Sequence, residues 1–197
     1  MTKIPIGDLS EVMVGLVLKR KEAELIDVKR HHYKALTLRS INPEGWIDES
    51  LLDNFEGSEQ LADRYLCLVG DVIIKLTPPY TAVAIDKTLS RSVVPSQFAI
   101  IRCNCSLIDS DYLAMFLNTD RVKKLIALGS TGITVPMIKT GTLRKIEVPI
   151  PGMEKQSKIA SIGKLIVQEN HLLNELIATK ERYYKALTEA ILMEESK

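Results

Sequence analysis

Apolar residues at helical spacing dominate the last quarter of the chain. Two prolines and a glycine in Val148-Pro149-Ile150-Pro151-Gly152 prevent any regular element from continuing through this junction. Beyond it, apolar side chains recur at alternating steps of three and four over about eleven turns, which corresponds to a helix on the order of 60 Å long. The pattern predicts a long helix with an apolar face that requires a partner helix, in antiparallel or bundle packing. The main stripe consists of Ile159, Ile162, Ile166, Leu173, Leu176, Tyr183 and Leu187.

The preceding residues mix strand-like and helix-like patterns. A 3.6-residue repeat predicts a helix over 110–128, and the acidic stretch 41–63 is expected to be loop with a helical turn near Leu51. Cys103 and Cys105 alternate with Ala99 and Ile101 and are expected to be buried strand residues. The fold class is therefore an α/β (mixed α+β) body over residues 1–150, followed by a helix over 151–197 that pairs in a coiled coil. Residues 3–9 are predicted to be a short strand running into a turn. Strands are predicted at 33–41, 81–85, 98–103 and 145–150, residues 64–76 are β-rich with a turn at 70–71, and a further turn is expected at 139–142.

Charge is balanced overall but uneven along the chain. The 197 residues carry a formal net charge of +1 and 46% apolar residues, as expected for a folded soluble protein. Residues 28–39 contain Lys29, Arg30, Lys34 and Arg39 and no acid, so a polyanionic partner would have to meet a local patch. No apolar run approaches the ~18 residues of a membrane span. Three cysteines without a framework favour a cytoplasmic location.

The segment Lys29-Arg30-His31-His32-Tyr33-Lys34 is the strongest nucleic-acid candidate. Lysine and arginine neutralise phosphates, while arginine, histidine and tyrosine can reach base edges. A solvated charged loop is the alternative interpretation. Ser130, Thr131 and Lys139 add hydroxyls and a cation near glycines, where the backbone could approach a phosphate.

Three short motifs suggest enzymatic or metal chemistry. Thr77-Pro78-Pro79-Tyr80 is similar to the Asn-Pro-Pro-Tyr of amino-methyltransferases, but no glycine-rich strand-to-helix turn for an adenosyl cofactor accompanies it. Asp27-Val28-Lys29 loosely matches a metal-dependent nuclease motif, and Cys103-Asn104-Cys105 could supply two metal ligands. A proline-rich loop, a charged segment and a strand are the simpler interpretations. A small methyltransferase or nuclease, and an interaction protein that does not bind DNA, therefore stay as alternatives.

Four sequence pieces, in order, resemble the specificity (S) subunit of type I restriction–modification enzymes. The most specific is the strand–Pro-x-Pro–Glu-x-Gln–helix junction around residues 141–159. The resemblance spans essentially the whole chain. Its pieces are Pro5-Ile6-Gly7-Asp8-Leu9 with Gly15, Leu68-Val69-Gly70-Asp71-Val72-Ile73-Ile74, Asp111-Tyr112-Leu113-Ala114-Met115-Phe116-Leu117-Asn118, and Gly141-Thr142-Leu143-Arg144-Lys145-Ile146-Glu147-Val148-Pro149-Ile150-Pro151 followed by Glu154-Lys155-Gln156-Ser157-Lys158-Ile159.

The resemblance implies a non-catalytic DNA-recognition subunit. Family members usually contain two target-recognition domains, each followed by a long helix, whereas this chain has one of each. It implies a half-length subunit that pairs with itself, reads a bipartite palindromic site and docks modification subunits, with the restriction subunit as a further partner. S-adenosylmethionine is then expected on the modification subunit, and no cofactor, metal or membrane is expected for this chain. Expected DNA contacts are residues 29–34, Lys75, Tyr80, Arg91, Ser130, Thr131 and Lys139.

Overall fold

The fold combines short antiparallel sheets with helices packed against them. A computed structural model describes residues 2–24, 29–128 and 137–194. Its strands are β1 (Lys3–Pro5), β2 (Ser10–Val14), β3 (His31–Ala35), β4 (Asp53–Gly57), β5 (Asp71–Lys75), β6 (Ala82–Ala84), β7 (Phe98–Cys103) and β8 (Glu147–Pro149). Its α-helices are α1 (Ile6–Leu9), α2 (Ser110–Leu117), α3 (Asp120–Leu128), α4 (Thr140–Arg144) and α5 (Met153–Glu194). Single 3₁₀ turns occupy Leu18–Arg20, Glu49–Leu51 and Asp63–Tyr65.

The central sheet separates two apolar cores. Within the described residues it has the antiparallel order β2-β7-β5-β6. Because successive side chains of a strand point to opposite faces, Ala99 and Ile101 enter the larger core beside α2, while Phe98 and Ile100 enter the second. Every residue of β5 is buried, since both faces of the sheet are covered. This explains the continuous apolar run in that part of the sequence.

Two smaller strand pairs complete the body. β1 pairs antiparallel with β8, with Lys3 opposite Pro149, so the first and last strands of the body lie side by side. β3 pairs antiparallel with β4, with His32 opposite Glu56 and Lys34 opposite Asn54. This β3–β4 ribbon packs over a third apolar cluster that includes Phe55.

Gly15 marks a close approach of two backbones at the end of β2. A Cβ at this position would lie 2.2 Å from the carbonyl oxygen of Pro95 and 2.3 Å from that of Val94. Both neighbours are backbone atoms and cannot move independently, so a glycine is required here. The adjacent Leu16 amide donates to the Val94 carbonyl at 2.7 Å, which connects the end of β2 to the segment before β7.

Several sequence expectations were wrong in detail. The strand predicted over 33–41 is β3 and ends at Ala35, and the expected acidic loop contains β4. The helix predicted over 110–128 is broken at Asn118, where the Asn118 side chain pairs with the backbone N–H and C=O of Ala82 at 2.9 and 2.7 Å. The turn predicted at 139–142 is instead the start of α4. Cys103 is only partly buried and Cys105 is exposed beyond the strand.

Helix α5 is continuous over 42 residues, Met153–Glu194, as its periodicity predicted. Contacts divide the chain into two compact units, Met1–Gly163 and Lys164–Lys197. The first turns of α5 belong to the body, because Ala160 is buried in the larger core and Ile159 packs against it. At Gly163, a Cβ would lie 2.5 Å from the Met115 sulfur, so the helix and α2 are closely packed there.

Candidate nucleic-acid interface and helix surface

The predicted basic segment forms most of β3, and the strand distributes its side chains over two faces. His32 and Lys34 are exposed, whereas Tyr33 is half-buried and packs against the third apolar cluster. The Tyr33 hydroxyl accepts a hydrogen bond from the Leu61 amide at 3.0 Å, so this ring has a structural role. His31 is also half-buried on the Tyr33 face.

The exposed cations of the β3–β4 ribbon have acidic or polar neighbours on β4. Arg30 Nη1 donates to Glu56 Oε2 at 2.8 Å, and His32 Nδ1 lies 3.6 Å from Glu56 Oε1. Lys34 Nζ donates to Asn54 Oδ1 at 2.8 Å. Because these pairs are solvent-exposed, exchanging one partner for a phosphate costs little. The arrangement orients the cations outward on one edge of the body. Lys29 is exposed just before the strand.

Arg91 lies next to this ribbon, although it is far away in sequence. The Val93 amide donates to the Lys34 carbonyl at 2.7 Å, and the Leu36 amide donates to the Val93 carbonyl at 3.0 Å. Arg91 has a positive φ of 71°, and its Nη1 lies 3.3 Å from Asp63 Oδ1. We group the exposed cations of this segment with the exposed Arg91, which is two residues from Val93, and call this set the β3 surface: Lys29, Arg30, His32, Lys34 and Arg91.

Lys75 and Tyr80 do not have the exposure that a DNA contact needs. Lys75 lies in the fully buried strand β5, and its Nζ donates to the Ile41 carbonyl at 2.6 Å. Burial lowers the pKa of Lys75. Tyr80 is 3% exposed and packs in the larger core. The expectation that these two side chains touch DNA is corrected, because both are buried.

The remaining predicted DNA contacts follow α3 in the sequence. Ser130 and Thr131 fall outside the described residues. Lys139 is exposed at the N-terminus of α4, and the amide of its neighbour Ile138 donates to the Leu76 carbonyl at 2.9 Å. Lys139 thus lies beside the Thr77–Tyr80 loop, which follows Leu76.

The stripe of α5 is exposed along most of its length. From Ile162 to Leu187, the predicted stripe residues keep between 44% and 62% of their side-chain accessibility. Ile159 is the exception, because it packs against the body. Single exposed leucines are ordinary, but a row of six large apolar residues at helical spacing is typical of a pairing surface. The six are Ile162, Ile166, Leu173, Leu176, Tyr183 and Leu187.

Gln156 links the start of α5 to the body, and its role was not predicted from sequence. Its side chain is 1% exposed, accepts from the Asp109 amide at 3.0 Å and donates to the Pro151 carbonyl at 2.9 Å. Nearby, the Tyr112 hydroxyl donates to the Pro149 carbonyl at 2.6 Å. These contacts give the Pro-x-Pro–Glu-x-Gln junction a structural explanation: its polar groups fix the direction in which the helix leaves β8.

The described ranges contain no grouping of three or more His, Cys, Asp or Glu side chains arranged to hold a metal ion. Asp27, part of the nuclease-like motif, lies outside those ranges. Burial raises the pKa of the Cys67 thiol to about 11 and that of Cys103 to about 12, so neither is an activated nucleophile. Within those ranges, no helix combines the length and the apolar content that crossing a bilayer requires.

The fold is therefore a mixed α+β body followed by a long helix with an exposed apolar stripe. The model of the type I restriction modification DNA specificity domain matches residues 6–179, which is most of the chain. The chain therefore belongs to this family. No curated protein matches the sequence.

Two solved structures share the fold at low sequence identity. The HsdS subunit from Thermoanaerobacter tengcongensis is 16% identical with a TM-score of 0.63, covering 94% of this chain and 46% of its own. A chain from a study of complex assembly and conformational transition of the type I R-M system is 14% identical with a TM-score of 0.66, covering 97% of this chain and 48% of its own. This chain thus spans about half the length of the solved structures that it matches. The expected mixed α+β fold is confirmed.

Proposed function

We propose that this chain is the DNA-recognition subunit of a type I restriction–modification complex and carries no catalytic centre. The family match over residues 6–179 is the observation on which the proposal rests. Methyl transfer and cleavage would belong to modification and restriction subunits, and the modification subunit would bind S-adenosylmethionine. Such a complex acts on cytoplasmic DNA, so we place the chain there.

We further infer that the chain works as a homodimer. The exposed stripe of α5 supports this, because six large apolar residues along one helix face would be stabilised by burial against a second copy. Two-fold symmetry would present two identical bodies to the DNA. The pair would then read a palindromic bipartite site, with a gap set by the helical spacer. The same paired helices would provide the docking surface for modification subunits.

The β3 surface supports the DNA-binding part of the proposal. Its cations face solvent, and the residues that hold them are exposed and exchangeable. Phosphate contacts from Lys29, Arg30 and Lys34 would position the body, while His32 and Arg91 could reach base edges. Lys139, with Ser130 and Thr131 from the sequence, forms the second group of proposed contacts.

Selection of bound duplexes from a random pool by the purified chain tests this function. We expect two copies of one short word, inverted and separated by a constant gap. A single word would contradict homodimeric recognition. No preference among duplexes at low salt would favour a pure interaction protein. Titration calorimetry with S-adenosylmethionine, and a metal-dependent DNA cleavage assay, should both be negative for the isolated chain. A positive result in either would favour a stand-alone enzyme.

A further inference from the structure

Arg91 has a backbone conformation that core packing does not explain. Two non-glycine residues of the described chain have a positive φ, Tyr80 at 55° and Arg91 at 71°. The Cβ of an L-residue crowds the backbone in this left-handed region. The Tyr80 ring is 3% exposed and packs in the larger core, which gives its conformation a packing reason. The Arg91 side chain instead keeps 55% of its accessibility, so its strained backbone points to a different role.

The backbone of Arg91 is fixed by a buried neighbour. The Arg91 amide donates to the Cys67 carbonyl at 2.7 Å, and the Cys67 amide donates to the Ser92 carbonyl at 3.0 Å. The Cys67 thiol, which is fully buried, donates to the Leu89 carbonyl at 2.9 Å. The turn 89–92 is therefore attached to the core at both ends. Such attachment is what a strained conformation needs in order to persist.

The direction of the Arg91 side chain is also set from the core. Arg91 Nη1 lies 3.3 Å from Asp63 Oδ1, and the Asp63 carbonyl accepts from Arg102 Nη2 at 3.3 Å. Arg102 in turn donates to both carboxylate oxygens of Asp71 at 3.0 and 2.9 Å, and Asp71 is only 2% exposed. A chain of contacts thus runs from a buried carboxylate to an exposed guanidinium.

A guanidinium that shares a carboxylate suits a neutral base edge better than a phosphate. The Asp63 charge offsets that of Arg91 and repels a second anion, which lowers the attraction for a phosphate. Arginine has five N–H donors in a fixed fork, and the contact with Asp63 is made through Nη1. The O6 and N7 atoms of guanine are neutral acceptors in the major groove, and their spacing matches two donors of this fork.

We propose that Arg91 contacts a guanine in the major groove and that Asp63 is the residue that positions it. The inference rests on the DNA recognition proposed above and deepens it, because it assigns one base to one side chain. In a two-fold pair, each body would require a guanine at the same position of its half-site. Arg91 is then a specificity-determining residue, whereas Asp63 acts through it.

Substitutions of Arg91 test the guanine contact. The measurement is discrimination, the ratio of affinities for the duplex that the parent chain selects and for duplexes with one G·C pair replaced by A·T. R91K keeps the charge but loses the fork. R91G adopts a positive φ without strain, so its melting temperature should equal or exceed that of the parent. We expect both variants to lose roughly 5- to 150-fold in discrimination at one guanine and none at the other positions. A uniform loss on all duplexes, or no loss, would overturn the proposal.

Substitutions of Asp63 test the positioning role. D63A should lower discrimination at the same guanine without weakening binding to other duplexes, because the released guanidinium can bind phosphates. D63N keeps an oxygen acceptor and should recover most of the discrimination. R64A removes a neighbouring exposed arginine and is the control, which should leave discrimination unchanged. Full discrimination in D63A, or an equal loss in R64A, would overturn the role of Asp63. A parent chain that selects no duplex would instead contradict DNA recognition itself.

Discussion

The Gln156 side chain accepts a hydrogen bond from the Asp109 backbone amide at 3.0 Å and so connects the first turn of α5 to the start of α2. Asp109 is also the N-cap of α2, because its Oδ1 accepts from the Tyr112 amide at 3.0 Å. Gln156 additionally donates to the carbonyl groups of Pro151 and Leu107. One buried amide therefore holds the proline-rich junction, the beginning of α2 and the beginning of α5 in a fixed arrangement.

Replacing Gln156 with leucine should destabilise the body. The substitution keeps the volume but leaves the buried Asp109 amide and Pro151 carbonyl without partners, so we expect a loss of about 1–3 kcal/mol in the free energy of unfolding. Urea denaturation measures it. Q168L, at an exposed position of the same helix, is the matched control and should change stability by less than about 0.5 kcal/mol. Equal effects of the two substitutions would show that the Gln156 network does not stabilise the junction.

The Cys67 thiol should make stability fall at alkaline pH. Cys67 is fully buried, and burial raises its pKa from 9.0 to about 11 while the thiol donates to the Leu89 carbonyl. Because the folded-state pKa is the higher one, this contribution is fully present below pH ~9 and is lost as the pH rises towards ~11. Between pH ~8.5 and ~10.5 the free energy of unfolding of the parent protein should fall by about 2 kcal/mol more than that of the C67A variant. Parallel pH profiles of the two proteins would refute the assignment.

A charge in the exposed stripe of α5 should prevent self-association. L173E and L176E each place a carboxylate in the proposed apolar seam, where an unpaired buried charge is costly. Sedimentation equilibrium should show monomers at concentrations where the parent is dimeric. A178E puts the same charge on the opposite side of the helix, at an exposed position, and should leave the dimer intact. Dimers of unchanged strength in L173E and L176E would place the seam elsewhere.

Removing cations from the β3 surface should weaken DNA binding. If R30A or K34A removes a phosphate contact, the affinity should fall by a similar factor on all DNA sequences. The slope of log affinity against log salt concentration should also decrease by about one per contact. A lost guanine contact should instead cost ~1–3 kcal/mol at one base position. Titrations against the selected duplex and a scrambled one, at several salt concentrations, separate these cases. K158A, an exposed lysine that pairs with Glu154, is the control. If both variants bind DNA with wild-type affinity, the DNA interface does not include β3.

Sequence periodicity predicted the elements whose pattern of buried and exposed positions stays the same from one end to the other. The buried strands β5 and β7 and helix α5 follow directly from their apolar patterns. The sequence did not predict β4, because this strand is acidic and pairs only with β3. Its Asp53 and Glu56 are residue types that are typical of loops. The break at Asn118 depends on a tertiary pairing with Ala82, which the continuous repeat over 110–128 cannot reveal.

The sequence predicted that the candidate DNA-binding site is basic, but it did not predict how its side chains are arranged. The basic run 29–34 is visible in the sequence, but its division between two strand faces requires the register with β4. The proximity of Arg91 depends on the Val93 bridge to Lys34. In the sequence Lys75 looks like any exposed cation, because local sequence does not show that both sheet faces are covered.

Methylome sequencing of a host that expresses this chain together with its modification subunit tests the central claim most directly. The account predicts methylation at one short word and its inverted copy, separated by a constant number of base pairs, with loss of that pattern when the chain carries L173E. Methylation at a site whose two halves differ, or an unchanged methylome when the chain is expressed, would contradict the account.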